Sequence, residues 1–144
     1  MIPATVPGVA EQEHRPLRHL PAAELSTDTA QTGAMTRKEA VSGKTVGSEK
    51  MWMGQAHLHP GADSGNHHHG ETESAIYIVS GHPVFVFAQD GEEVRLTPEP
   101  GDYVFVPPWT PHREENPGDE AAVVVLARSS QEAVVVELPP GSLA

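Results

Sequence analysis

Apolar residues come in short runs along this chain, and most runs close on a glycine or a proline. Ala75–Val79 ends at Ser80-Gly81, Val84–Ala88 at the turn signal Asp90-Gly91, and Tyr103–Val106 at Pro107-Pro108. A run opening at Met35, then Met51–His59, Val94–Leu96, Ala121–Ala127 and Val134–Leu138 complete the set, with Pro60-Gly61, Pro98–Asp102 and Asn116–Asp119 as turns between them. Short apolar runs bounded in this way predict strands, and their close, regular spacing predicts an all-β sandwich or barrel. No stretch carries the period of an amphipathic helix of ordinary length, and Ala22–Leu25 predicts a helical turn at most. Three segments, Val84–Phe87, Tyr103–Val106 and Val123–Leu126, are apolar at every position. A solvated antiparallel sheet would alternate, so both faces of these strands should be covered. The barrel interior covers one face, and a second sheet or another copy of the chain covers the other. A homodimer is the expectation that follows.

The first 34 residues break this pattern, being rich in Pro, Ala and Thr and poor in large apolar side chains. The division expected is an N-terminal arm over residues 1–34, extended or partly disordered, and a β-barrel domain over residues 35–144. The arm's sharper reading is a strand laid on a sheet edge of its own barrel or a partner's. The opening residues lack the basic start and apolar run of a signal peptide, and no stretch approaches the ~18 apolar residues that span a membrane. Cysteine is absent, which removes disulfides, thiolate metal sites and a cysteine nucleophile together and fits a reducing compartment. The chain therefore reads as soluble and cytoplasmic. Its formal net charge of −11, from nine Lys+Arg against twenty Asp+Glu, argues against nucleic acid and membranes as partners.

The candidate chemistry lies in two segments, His67-His68-His69-Gly70-Glu71-Thr72-Glu73 and Gly101 to Asn116 with His112 inside it. In extended backbone, residues two apart point the same way, so His67 and His69 form a chelating pair while His68 turns aside. Imidazole suits Zn, Cu, Fe and Ni, and a third imidazole from a distant strand would complete the site.

These segments resemble the two motifs of the cupin superfamily. In the first, Gly61 precedes His67-x-His69 by five intervening residues, Glu73 follows, and Gly81 closes the motif. In the second, Gly101, Pro107, His112 and Asn116 fall at the expected spacing, with Trp109 where the motif has a glycine. The His-His-His-Gly-Glu…Ile-Tyr-Ile-Val-Ser-Gly stretch is similar to small single-domain bacterial cupins described as RmlC-like. The resemblance covers roughly residues 51–127 and implies a jelly-roll barrel, also called a double-stranded β-helix. It also implies one divalent transition metal per chain on His67, His69, His112 and Glu73. One departure matters: counted forward from His69 the acidic ligand is Glu73, but counted back from Gly81 its place is taken by Ser74. A one-residue shift turns a strand side chain to the opposite face. Either a bulge brings Glu73 to the metal, or the site is a three-histidine one with Ser74 nearby; Glu71 is a weaker carboxylate.

The other histidines and aromatics carry blander expectations. His57 and His59 read as surface or pocket-lining, and His14, His19 and His82 as surface residues. Tyr77 and Phe85 read as packing, Trp109 as pocket lining or turn cover, and Arg113, Glu114 and Glu115 as an exposed strand end. Ile76, Ile78, Val104 and Val106 are candidates to line an apolar cavity. A metal held this way leaves positions open for water, dioxygen or a chelating substrate. The leading expectation is a metal-dependent enzyme on a small organic molecule, with iron-dependent oxygenation first and metal-assisted isomerisation or cyclisation second. Mn, Ni, Zn and Cu remain alternatives to iron. A binding or sensing cupin, its metal fixing a ligand or the fold, is the alternative from another class.

Overall fold

A computed structural model describes residues 14–143. Ten strands follow in order: β1 (Met35–Val41), β2 (Trp52–Leu58), β3 (His67–His68), β4 (Ser74–Ser80), β5 (Val84–Gln89), β6 (Glu92–Leu96), β7 (Tyr103–Val106), β8 (His112–Glu115), β9 (Ala122–Arg128) and β10 (Val136–Glu137). They form two five-stranded sheets, ordered β1-β2-β9-β4-β7 and β10-β3-β8-β5-β6, and the strand pairings are antiparallel. The chain crosses repeatedly from one sheet to the other, which is the jelly-roll topology expected from the sequence. A 3-10 turn at Ala22–Glu24 and a single helical turn, α1 (Gly43–Val46), are the helical elements among the described residues. No helix among them is long and apolar enough to cross a membrane.

The core lies between the sheets. In β2 the burial alternates strictly, with Trp52, Gly54, Ala56 and Leu58 buried. In β4 the inward residues are Ser74, Ile76 and Ile78. Met35, Phe85, Val106, Ala122 and Val124 join the apolar ones in a single cluster. The strands that are apolar on both faces meet three different fates. The outward Val84 and Val86 of β5 are covered by Leu143 from the C-terminal segment. On β9 the outward Val123 and Val125 are half-buried. On β7 the outward Tyr103 and Phe105 stay 77% and 58% exposed.

The segment before β1 folds back along it. Ser26 bridges Glu39 and Thr32 bridges Met35, while the Gln31 side chain accepts from the Arg37 amide at 2.6 Å and donates to the Arg37 carbonyl at 2.8 Å. This covers the open edge of the first sheet, since β1 is its terminal strand. Residues 1–13 of the expected arm lie outside the described residues.

Candidate metal centre

β3 is only two residues long, yet it sets the site. His67 pairs directly across from His112 on β8, and β10 pairs with β3 from the other side. His69 follows in the turn. The imidazoles of His67, His69 and His112 converge, with ring centroids 4.4 Å (67–112), 4.8 Å (67–69) and 5.1 Å (69–112) apart. One ring nitrogen from each lies within 4.8 Å of the other two, so the three form a group able to hold a metal ion.

The hydrogen bonds behind the rings suit that role. Each Nδ1 meets a backbone carbonyl: His67 that of Gly65 at 2.8 Å, His69 that of Val134 at 2.8 Å and His112 that of Thr110 at 3.0 Å. A carbonyl can only accept, so each Nδ1 carries its proton and each Nε2 keeps a free lone pair. Fixing the tautomer through the far nitrogen is what protein partners do for metal-bound histidine. His112 Nε2 is buried without a hydrogen-bond partner among the described residues. An orphaned buried acceptor is costly, and a cation at the centre of the triad would satisfy it. The three residues fit a divalent transition metal.

Electrostatics agree. Burial, reinforced by neighbouring positive charge, holds His67 below its ordinary value and His69 down to about 4, so both imidazoles are neutral at pH 7. His112 is shifted the other way. Burial would lower it, but the Glu114 carboxylate more than offsets that. The Glu114 Oε1 stands 3.7 Å from His112 Nε2, beyond hydrogen-bond reach, so it acts on the imidazole as a charge.

Glu114 departs from the exposed strand end that its segment predicts. It lies two residues beyond His112 on β8, so the alternation that pairs His67 with His69 also turns it inward. Its side chain is only 15% exposed and lines the cavity beside His67 and His69. Arg113 and Glu115 lie on the opposite face of β8 in an ion-paired group with Glu93 and Arg95, and at 18% and 17% exposed they too depart from the exposed strand end expected.

Glu73 stands outside the histidine group on an exposed position, its amide donating to Ser129 Oγ at 3.0 Å. Ser74, the first residue of β4, is buried and lines the cavity. The pairing of β4 with both neighbours runs in register from Ser74 to Tyr77, and its one irregularity falls between Ile78 and Ser80. No bulge therefore turns Glu73 inward at this end. Glu71 is exposed as well. His68 points away and accepts from the Gly70 amide at 3.0 Å. Trp109 is 60% exposed at φ +63°, with His68 5.7 Å from its ring, and covers the turn rather than the cavity. His57 and His59 are likewise absent from the cavity wall. Asn116 is fully buried and structural: its Nδ2 donates to the carbonyls of Leu58 (2.9 Å) and Glu120 (2.8 Å).

His67 and His69 line a cavity of about 350 Å³ between the sheets, with His112 packed against them. Ile76, Phe85, Val106, Val124 and Leu126 give it an apolar wall, and Val134 and Val135 of the C-terminal segment lie over one side. Of the residues expected there, Ile76 and Val106 line the cavity, whereas Ile78 is buried in the core beneath it.

The family model of the cupin domain matches residues 54–128, from within β2 to the last residue of β9. This chain belongs to the cupin family. Among curated proteins the cupin is similar to the tetracenomycin polyketide synthase protein TcmJ of Streptomyces glaucescens, 34% identical over 82 residues, 57% of this chain and 52% of that one. It is also similar to the polyketide synthase CurC of Streptomyces cyaneus, 35% identical over 82 residues, 57% of this chain and 51% of that one. The cupin thus spans about half the length of these relatives. Among solved structures it is similar to the Mn(II)-containing oxalate decarboxylase of Bacillus subtilis, with TM-score 0.64, 25% identity, and coverage of 76% of this chain and 29% of that one. The formate complex of the Lactobacillus farciminis oxalate decarboxylase shares the fold at TM-score 0.65 and 20% identity, over 81% of this chain and 34% of that one.

Proposed function

We propose that this cupin is a metal-dependent enzyme acting on a small organic molecule, with one divalent transition metal per chain on His67, His69 and His112. The supporting observation is the convergence of three imidazoles whose Nδ1 atoms are all committed to backbone carbonyls. A bound ion would supply Lewis acidity and a point of chelation for an oxygen-bearing substrate. The chain's own residues supply the rest. Ile76, Phe85 and Leu126 hold an apolar substrate body and exclude water, and Glu114, beside His112, is a carboxylate placed to take a proton from it. Oxidation by dioxygen, with iron as the metal, is the leading chemistry, because histidines gathered on one side leave adjacent positions free. Isomerisation or cyclisation of an enolisable carbonyl compound is the second reading, and the similarity to two polyketide synthase proteins favours it.

The test is oxygen consumption by iron-loaded protein given an enolisable β-diketone, with product followed by mass spectrometry. Oxygen uptake that disappears in His112→Ala supports oxygenation, and conversion without uptake supports the second reading. Metal binding with no conversion of any enolisable or aromatic probe would leave a binding cupin.

We also propose a homodimer through the outer face of the first sheet. The Tyr77 and Tyr103 rings meet there at a tilt, 5.0 Å apart, and with Val79 and Phe105 they leave an apolar patch on an otherwise acidic chain. A second copy can meet such a patch about a two-fold axis. Light scattering should give twice the chain mass for the wild type and a single-chain mass for Phe105→Glu; a single-chain wild type would refute it.

A further inference from the structure

The wall of the cavity that comes from the first sheet is not wholly apolar. Arg37 on β1 and Arg128 on β9 both line it, two of only nine Lys and Arg in the chain. Both occupy inward positions. Arg37 is two residues from buried Met35 and pairs with buried Ala56, and Arg128 is two residues beyond Leu126. Charges taken out of water need partners, and the two guanidiniums differ in what they have.

Arg128 is committed to the fold. Its Nε donates to the Ser130 carbonyl at 3.1 Å, its Nη2 to the Gln131 carbonyl at 2.8 Å, and its guanidinium lies 4.1 Å over the buried Trp52 ring. Among the described residues the Arg37 guanidinium makes one hydrogen bond, from Nη1 to the Ala30 carbonyl at 3.4 Å, and has no carboxylate within 4.0 Å. Three carboxylates, Asp63, Glu114 and Glu137, also line the cavity, and none of them pairs with Arg37 within 4.0 Å. Glu39 accepts from Trp52 Nε1 at 2.8 Å and pairs with Lys44 at 3.4 Å. Glu114 sits beside His112, and Asp63 caps the Gly65 amide at 2.9 Å. Arg37 is also close enough to its neighbours for its charge to be felt. After burial, it is the main influence lowering Arg128, and it adds to the influences lowering His67. The cavity thus holds a planar five-donor cation with its fork largely unused, on a wall it shares with a second cation.

We infer that the cavity takes an anionic substrate, a small carboxylate or enolate with an apolar body, and that Arg37 reads its charge. A guanidinium matches a carboxylate with two parallel hydrogen bonds, which a neutral amide or ester cannot reproduce. The apolar wall of Ile76, Phe85, Val124 and Leu126 receives the body, and about 350 Å³ suits a molecule of one or two rings. Where the anion carries a further oxygen, as a keto or hydroxy acid does, that oxygen faces the histidines; only this last element rests on the metal reading above. The chain as a whole is strongly acidic and repels anions, and carboxylates share the cavity, so the selectivity resides in the directed donors of Arg37 rather than in long-range attraction.

The experiment is calorimetric titration of manganese-loaded and metal-free protein with acetate, benzoate and 1-naphthoate, each beside its neutral primary amide. Wild type, Arg37→Gln and Arg37→Lys are compared, with melting curves to show that each variant folds. In wild type at least one carboxylate should bind ten-fold or more tightly than its amide. Arg37→Gln should lose that preference while loading metal normally, and Arg37→Lys should keep part of it, since charge survives without the fork. Equal binding of acid and amide, an undiminished preference in Arg37→Gln, or no binding of any of the carboxylates would overturn the inference. Failure of the metal reading shows separately, as absent manganese in wild type, and leaves the metal-free comparison of acid and amide to decide the role of Arg37.

Discussion

His112 and Glu114 show how two residues on one strand face can shape a site. Removing the Glu114 charge takes away the anion closest to His112 Nε2. Partners beside a metal ligand contribute roughly 10–100-fold in affinity, so Glu114→Gln should weaken manganese binding by about ten-fold in chelator competition. An unchanged affinity would show that the carboxylate plays no part in holding the ion. The same residues give the metal-free protein a pH signature. His67 and His69 are lowered in the fold, so the unfolded chain binds more protons as pH falls from 6.5 toward 4. Stability is therefore lost on acidification through that window. His112 is raised, so its contribution is present below pH 6.5 and fades as pH rises through its folded value. Melting of metal-free protein should peak near pH 6.5, and bound metal should remove the alkaline decline by occupying Nε2. A melting temperature that keeps rising above pH 7 without metal would contradict this assignment of charges. Much of this site was legible in the sequence. The His67-x-His69 alternation and the spacing to His112 follow from strand geometry and motif. Glu114 obeyed the same two-residue rule, but charged residues at a strand end usually face water, which hid it. The Val134 carbonyl that orients His69 could not be read, because the contact links residues 65 positions apart.

At the scale of elements, the turn residues fixed most strand ends. Tyr103–Val106 matches its apolar run residue for residue, and the other main strands differ from theirs by a residue or two. Val134–Leu138 shrinks to Val136–Glu137, because Ala133–Val135 serve as a strap over the cavity and β3 offers only two residues to pair with. The helical turn α1 went unforeseen. It is held by the Ser42 capping box with Thr45 and by left-handed Gly47 rather than by any apolar period. Two turns carry conformational demands. Gly81 lies at φ +80°, and a Cβ there would come within 2.6 Å of the Ala122 Cα. The left-handed conformation and the clash together predict a loss of about 2–4 kcal/mol for Gly81→Ala, read from denaturant unfolding; a loss under about 0.5 kcal/mol would mean that the β4–β9 contact yields easily. Trp109 occupies the glycine position of the second motif at φ +63°, so the backbone keeps the turn that glycine favours even with an indole attached.

Across the whole molecule, two antiparallel sheets enclose a cavity with histidines on one wall and arginine on the other. Fold class followed from run length and turn spacing alone, since no helical period competes with the strand pattern. The cavity's charge did not follow from composition. A net charge of −11 describes the chain as a whole, whereas the inward Arg37 and Arg128 become visible only when strand register places them. The position of Ser74 is of the same kind: two counting schemes disagreed by one residue, and the unbroken β4 register put serine on the inner face. On the proposed reading, three histidines hold one ion. Elemental analysis of purified, metal-reconstituted protein tests this most directly, comparing wild type with His112→Ala and Glu73→Ala. About one equivalent of divalent transition metal in wild type and in Glu73→Ala, with little in a folded His112→Ala, is the result predicted. Metal absent from wild type, or retained in full by His112→Ala, would contradict it.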